Sequence, residues 1–324
     1  MPPVVEFPKL QSTLPLGIFF QAYEAQMNAS MLPKLTTRAD APNAIGNDYA
    51  WLGNLKGMRE FIGGRQTQAL AKYEYFIKNR EWENSAEFKD ADYRFDRLGM
   101  IRARMSEMAA LAVAHPLELT TSLVIAGESS ICYDGQYFYD ADHAEGSSGT
   151  QSNSIQVDIS ALPIPADAHG STTDPSAQEI EKTILKMIQQ LAGLKNDAGK
   201  PINQHMRSFI LHIPVSFMAS ALAAVKNVSF PNGQVNTLVA NSGLFNIEIL
   251  VDPLLTWTDK MALHRTDGMI KPFIYQEAQP LEMQPPLSYG SEYYVQTKKH
   301  FFACDAIYNV GYGLWQQSCL AQLI

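Results

Sequence analysis

Residues 132–143, CYDGQYFYDADH, bring a cysteine, three aspartates, a histidine and a cluster of aromatic residues into twelve positions. Side chains of these types supply the ligands of metal centres and the acids and bases of hydrolytic sites. Their spacing argues against both. A calcium loop opening at Asp140 and Asp142 would need an oxygen ligand at its fifth position and glycine at its sixth, where the chain has Ala144 and Glu145. A site built on Asp140, Asp142 and His143 would need further ligands from elsewhere. Asp134-Gly135, between ICY and QYFY, is instead a strong hairpin signal, because a type I′ turn requires positive φ at both central positions. The stretch reads as architecture, and no metal or cofactor is expected there.

Other catalytic signatures fail in the same way. Gly127-Glu128-Ser129-Ser130-Ile131 lacks the second glycine of a nucleophile elbow. No phosphate-binding loop, dinucleotide fingerprint or HExxH occurs, and the seven histidines are scattered. His212, inside an apolar run, reads as a core residue. Cys132, Cys304 and Cys319 are odd in number and show no CxxC spacing, so a disulfide framework and a zinc knuckle are both unsupported and a reducing compartment is expected. A net charge of -8 and a pI near 5.4 argue against a dedicated nucleic-acid binder. No catalytic residue is expected, and the chain does not read as an enzyme.

The elements that must carry these residues follow from periodicity and punctuation. At 324 residues, 46% hydrophobic and 18% charged, the chain is long enough for two folded domains or one with large insertions. Its first residues lack the pattern of a secretory signal, and no run of eighteen uninterrupted apolar residues predicts a membrane span. Six prolines in residues 1–50 surround one helical stretch, LGIFFQAYEAQMNASML, which predicts an arm with a short helix. In residues 72–97 half of the side chains are charged. Tyr73, Tyr75 and Ile77 alternate there with Lys72, Glu74 and Lys78, and Asn84-Ser85 offers a turn, so a two-stranded hairpin is expected. So polar a hairpin must lie on another surface or form the edge of a larger sheet. A helix is predicted from an Asp96 cap to Ala114, with Leu98, Ile101, Met105, Met108 and Ala112 on one face. His115-Pro116 should stop it, Pro116 opening a second helix to Gly127.

Past two linkers, 145–154 and 162–174, an α/β pattern appears. A helix beginning near Asp174 carries Ile180, Ile184, Met187, Ile188 and Leu191 on one face and closes at Gly193. SFILHI (208–213) and LFNIEILVD (244–252) read as strands and PVSFMASALAAVKN as a helix between them. Strands return at 271–277 and 298–316, which makes residues 156–265 an insertion in a larger body.

YAWLG (49–53), YEYFIKNREWE (73–83), AHPLEL (114–119), CYDGQYFYDADH (132–143), KPFIYQE (271–277) and GYGLWQ (311–316) stand in the order of the landmarks of the Mu-like phage major head subunit family. The chain resembles that family over most of its length, least in residues 1–48 and 145–240. The resemblance implies an α+β fold of the Hong Kong ninety-seven phage capsid type. Its parts would be an N-terminal arm (1–50), an extended loop (51–95) and a peripheral domain (96–155) with a spine helix at 97–114. An axial domain (156–265) and a return to the peripheral domain (266–324) would complete it. It further implies a major capsid protein that assembles in a bacterial cytoplasm into the hexamers and pentamers of an icosahedral virion shell. That shell encloses double-stranded DNA without reading its sequence and works with portal, scaffold and decoration proteins, but not with a membrane. An encapsulin-type compartment of the same fold is the alternative. Tyr73, Tyr75, Arg80, Glu81, Trp82, Glu83, Asp92, Arg94 and Arg97 are the expected intersubunit contacts.

Overall fold

A computed structural model describes residues 7–41, 45–49, 75–95, 99–241 and 243–324, with side chains from residue 15 onward. The first half opens with helices α1 (Phe7–Ala29) and α2 (Leu32–Leu35). Strands β1 (Thr36–Asp40), β2 (Gly46–Asp48), β3 (Phe76–Lys78) and β4 (Arg80–Lys89) follow, then helices α3 (Asp90–Arg94) and α4 (Met100–Ala126). In the second half β5 (Ser154–Val157), α5 (Ala177–Gly193), β6 (Ser208–Ile213), α6 (Met218–Lys226) and β7 (Asn246–Val251) precede four closing strands. These are β8 (Lys260–Arg265), β9 (Phe273–Met283), β10 (Lys299–Tyr312) and β11 (Ser318–Leu323).

The first sheet has the order β1-β9-β10-β4, with β1 parallel to β9 and the other pairs antiparallel. One face of it receives α4. Ile101, Met105, Met108 and Ala109 of that helix pack with Phe302 and Cys304 of β10 and with Phe19 of α1 in a second, smaller core. The proline-rich arm is therefore helical from Phe7 and packed onto its own chain, and its β1 is a sheet edge.

Helix α4 corrects two expectations. It begins at Met100, after Gly99 in the left-handed conformation (φ 64), while Asp96, the expected cap, lies outside the described residues. It also runs without interruption through Pro116. A proline costs a helix interior about 3 kcal/mol. Burial of a large apolar side chain returns about 1.5–3 kcal/mol, and Met105, Met108, Val113 and Val124 on both sides of Pro116 are buried, so packing outweighs the lost N–H. The helix is long and apolar enough by composition to cross a membrane; Ile101, Met105, Met108, Ala109, Val113 and Val124 are buried against the rest of the chain, while Met100 and Leu111 are exposed.

The charged segment is not a hairpin about Asn84-Ser85. Both residues sit mid-strand in β4, which pairs antiparallel with β10 from Arg80↔Tyr308 to Lys89↔Lys299. The edge of a larger sheet is the arrangement found. Cross-strand support explains it: Trp82, Ala86 and Phe88 turn toward the helix side, where Trp82 meets His115 of α4 and Phe88 meets Phe302 of β10.

The second sheet has the order β5-β11-β8-β6-β7. Its α5 has the expected apolar face, and Ser176 caps it with a reciprocal capping box to Glu179, two residues beyond the expected Asp174. The chain's last strand is the surprise. The tail does not simply complete the first sheet, because β11 lies between β5 and β8 of the second. Gly313, Leu314 and the single turn Trp315–Gln317 carry the chain from β10 to β11, and Trp315 is fully buried.

Met105 has no solvent exposure at the junction of α1, α4 and β10. Met105→Ala is expected to cost about 2–5 kcal/mol in urea denaturation, against less than about 0.5 kcal/mol for the exposed Arg102→Ala; equal costs would contradict the packing described.

Candidate assembly surfaces

From Glu81 onward strand β4 presents its odd-numbered side chains outward and its even-numbered ones to the body, as a half-buried strand must, while Arg80 at its start is exposed too. Arg80, Glu81 and Glu83 are exposed along it, and Asp92 is exposed in α3. No side-chain hydrogen bond or ion pair joins these four to another described residue. The register sets Glu83 beside Asp305 and Asp305 beside Glu282, so three carboxylates stand abreast across three strands. Like charges directly opposite one another destabilise a sheet. No lysine or arginine among the described residues pairs with any of the three.

The other expected contacts divide differently. Tyr73 and Arg97 lie outside the described residues. Tyr75 belongs to its own subunit's core, where its hydroxyl accepts the Tyr312 N–H at 2.9 Å and burial pushes it up to about 12. Trp82 donates its indole N–H to the Tyr308 carbonyl at 3.0 Å and meets the His115 ring at 4.2 Å. Arg94 is paired within its own chain, Nε to Asp90 Oδ2 at 2.9 Å, with its guanidinium over the Tyr289 ring. Alternation at Tyr73, Tyr75 and Ile77 suggested extended chain but could not tell outward charges from those with an internal partner.

The CYDGQYFYDADH loop folds around the turn between the two sheets. Its hairpin is displaced by one residue from the expected one: Gly135 N–H donates to the Cys132 carbonyl at 3.1 Å, so Tyr133 and Asp134 are the central residues. Only Gly135 has positive φ (88), the pattern of an ordinary turn followed by a left-handed glycine. His143 lies flat on Trp315, with ring centroids 3.9 Å apart and planes 5° apart. Glu145 Oε1 accepts from the Tyr133 hydroxyl at 2.6 Å, the Trp315 indole at 3.1 Å and Gln316 Nε2 at 3.1 Å. Asn153 Nδ2 donates to the carbonyls of Phe138 (2.7 Å) and Trp315 (3.3 Å). Asp140 and Asp142 point away from this centre; Asp140 caps its own loop and Asp142 is exposed.

Sequence comparison matches residues 17–162 and 261–322, more than half of the chain, to the model of the Mu-like prophage major head subunit gpT. The chain belongs to this family. Over 111 residues it is 37% identical to the Mu-like prophage FluMu major head subunit of Haemophilus influenzae, which is 34% of this chain and 36% of that protein. Over 125 residues it is 33% identical to the major capsid protein of Escherichia phage Mu, 36% of this chain and 41% of the relative. The aligned stretches thus span well under half the length of these two relatives. Among solved structures, the bacteriophage JBD30 capsid is similar with a TM-score of 0.51 at 23% identity, over 70% of this chain and 91% of that one. A virus-like particle from Pyrococcus furiosus gives 0.55 at 10% identity, over 94% and 98%. The fold is the Hong Kong ninety-seven capsid fold.

A polar centre that periodicity did not reveal ties the end of β4, through Asp90, to β10. Asp90 accepts from Arg94, from the Tyr289 hydroxyl at 2.9 Å and from His300 Nε2 at 3.2 Å. His300 is fully buried, its Nδ1 bonded to Ser288 and its ring stacked on Tyr93. Burial alone would raise the Asp90 carboxyl, but the bonds from Tyr289, Arg94 and His300 outweigh it and lower it to about 2. A carboxylate whose folded value lies below its unfolded value of 3.8 stabilises fully above 3.8, and that stability is lost as the pH falls through about 2. The stability gap between the wild-type subunit and Asp90→Asn should therefore be constant near neutrality and close as the pH approaches 2; a gap unchanged down to that pH would contradict the assignment.

Proposed function

We propose that this head subunit self-associates into the hexamers and pentamers of an icosahedral phage shell that encloses double-stranded DNA. The observation that carries this reading is the outer edge and face of β4. There the side chains of Arg80, Glu81 and Glu83, with Asp92 beyond the strand, are exposed without a partner among the described residues, and no described lysine or arginine pairs with the carboxylate row Glu83, Asp305, Glu282. A closed shell needs heterologous contacts, in which one patch meets a different patch on the next copy. An unneutralised row on one copy supports such a contact because a neighbour's basic side chains would relieve the repulsion. Many contacts of modest strength then act together.

In this reading Tyr49 and Tyr75 mark the base of the extended element. Tyr49 N–H donates to the Tyr75 carbonyl at 2.8 Å and β2 pairs antiparallel with β3, so the chain leaves and re-enters the body at adjacent points. Residues 80–89 belong to the sheet rather than to that element. The net charge of -8 suits an inner wall that must not hold its DNA tightly. Portal, scaffold and decoration proteins are the partners this role requires, the assembled virion is its location, and no catalytic step is part of it. The family match does not favour the encapsulin alternative, since the likeness to the virus-like particle rests on fold alone.

The test is negative-stain electron microscopy of the expressed subunit, alone and with its neighbouring phage gene products, for wild type and for Glu81→Lys combined with Glu83→Lys. Wild type should form closed shells whose yield falls at high salt. The variant should lose shells while its monomer stability changes by no more than about 0.5 kcal/mol. Normal shells from the variant would remove the β4 surface from the interface, and a wild-type subunit that never closes a shell would remove the function.

A further inference from the structure

Three potential metal ligands converge beneath the 132–135 turn. Cys132 Sγ lies 3.0 Å from Asp134 Oδ1, and His143 Nδ1 lies 2.6 Å from Asp134 Oδ2. The three ligand atoms fall within 4.8 Å of one another, and the side chains of Asp134 and His143 are 2% and 0% exposed. The set weighed and rejected from the sequence was Asp140, Asp142 and His143; the fold brings Cys132 and Asp134 to His143 instead.

We propose that Cys132, Asp134 and His143 form a structural binding site for a zinc-class divalent cation. A further observation points the same way. The centre also gathers two buried carboxylates, Asp134 and Glu145, beside one imidazole and one thiol, and no lysine or arginine among the described residues bonds to any of the four. Buried negative charge is costly unless paired or bound to a metal. A thiolate, an imidazole and a carboxylate select a borderline-soft ion such as Zn²⁺ over Ca²⁺ or Mg²⁺.

The chemistry balances. The cation displaces one proton, that of the Cys132 thiol, which leaves to solvent. The proton of the neutral imidazole moves from Nδ1 to Nε2, freeing Nδ1 to bind. Thiolate and Asp134 carboxylate together cancel the two positive charges. Ligands of a tetrahedral zinc stand roughly 3.3–3.6 Å apart, so the His143–Asp134 and Cys132–Asp134 contacts, now 2.6 Å and 3.0 Å, must open by roughly 0.5–0.7 Å, a movement within reach of side-chain rotation. Bound there, the ion would fasten the loop that holds His143 against Trp315, and with it the passage between the two sheets.

The experiment is a titration of the full-length, reduced, metal-free subunit with Co²⁺ and with Zn²⁺. The expected result is a thiolate-to-cobalt charge-transfer absorption that saturates at one ion per chain and is displaced by Zn²⁺, together with a Tm raised by a few degrees in Zn²⁺. Cys132→Ser, which keeps a hydrogen-bond donor beside Asp134, should abolish the absorption, whereas Cys304→Ser and Cys319→Ser should retain it. Absence of the absorption in wild type, or its survival in Cys132→Ser, would overturn the proposal and leave the three side chains a hydrogen-bonded group only.

Discussion

The structure depends on one continuous piece of chain that is central to both of its sheets. Strand β10 is flanked by β9 and β4 in the first sheet, and β11 is flanked by β5 and β8 in the second. Between them the chain turns through Trp315–Gln317, where every side chain is buried. A buried turn must satisfy its polar groups from outside itself. Asn153 serves the Trp315 carbonyl, Asn203 serves the Gln316 carbonyl at 2.8 Å, and Glu145 takes the Trp315 indole. The loop that first suggested chemistry is the collar around this turn, which gives its dense polar and aromatic composition a structural cause.

That arrangement bears on the proposed assembly. In such a shell a subunit pulled by several neighbours would have to transmit load between its two sheets without separating them. A shared backbone does so more securely than surface contact. Thr121 of α4 adds a second link, donating to Asp252, which also pairs with His212 of β6 at 3.0 Å. The long helix is thereby joined to the second sheet as well as packed on the first. Arg80, Glu81 and Glu83 of β4 are exposed, and they are the contacts proposed above for a neighbouring copy.

What the sequence disclosed was whatever local pattern alone decides. SFILHI is β6 residue for residue, because a short apolar run bounded by polar residues and proline has few alternatives. The apolar face of α5 and its end at Gly193 were equally plain. Tertiary competition hid the rest. Pro116 looked like a stop because its cost is local while the packing that overrides it is distant in sequence. Asn84-Ser85 looked like a turn, since nothing nearby announces that β10, over 200 residues later, will pair along the strand. The placement of β11 in the second sheet could not be read from a strand that ends the chain. Cys132 and Asp134 were overlooked as neighbours of His143 because the loop closes through contacts with Trp315, which no spacing rule within the loop encodes. The family resemblance survived these local errors, being carried by the order of motifs rather than by their conformations.

Native-state hydrogen exchange of the unassembled subunit tests the central claim most directly, because it measures the opening free energy of each strand separately. If residues 299–323 join the sheets into one body, the slowest amides of β9 and β10 and those of β8 and β11 should share a single opening free energy and respond equally to denaturant. Two distinct opening energies, one for each sheet, would show that the passage through Trp315 does not couple them.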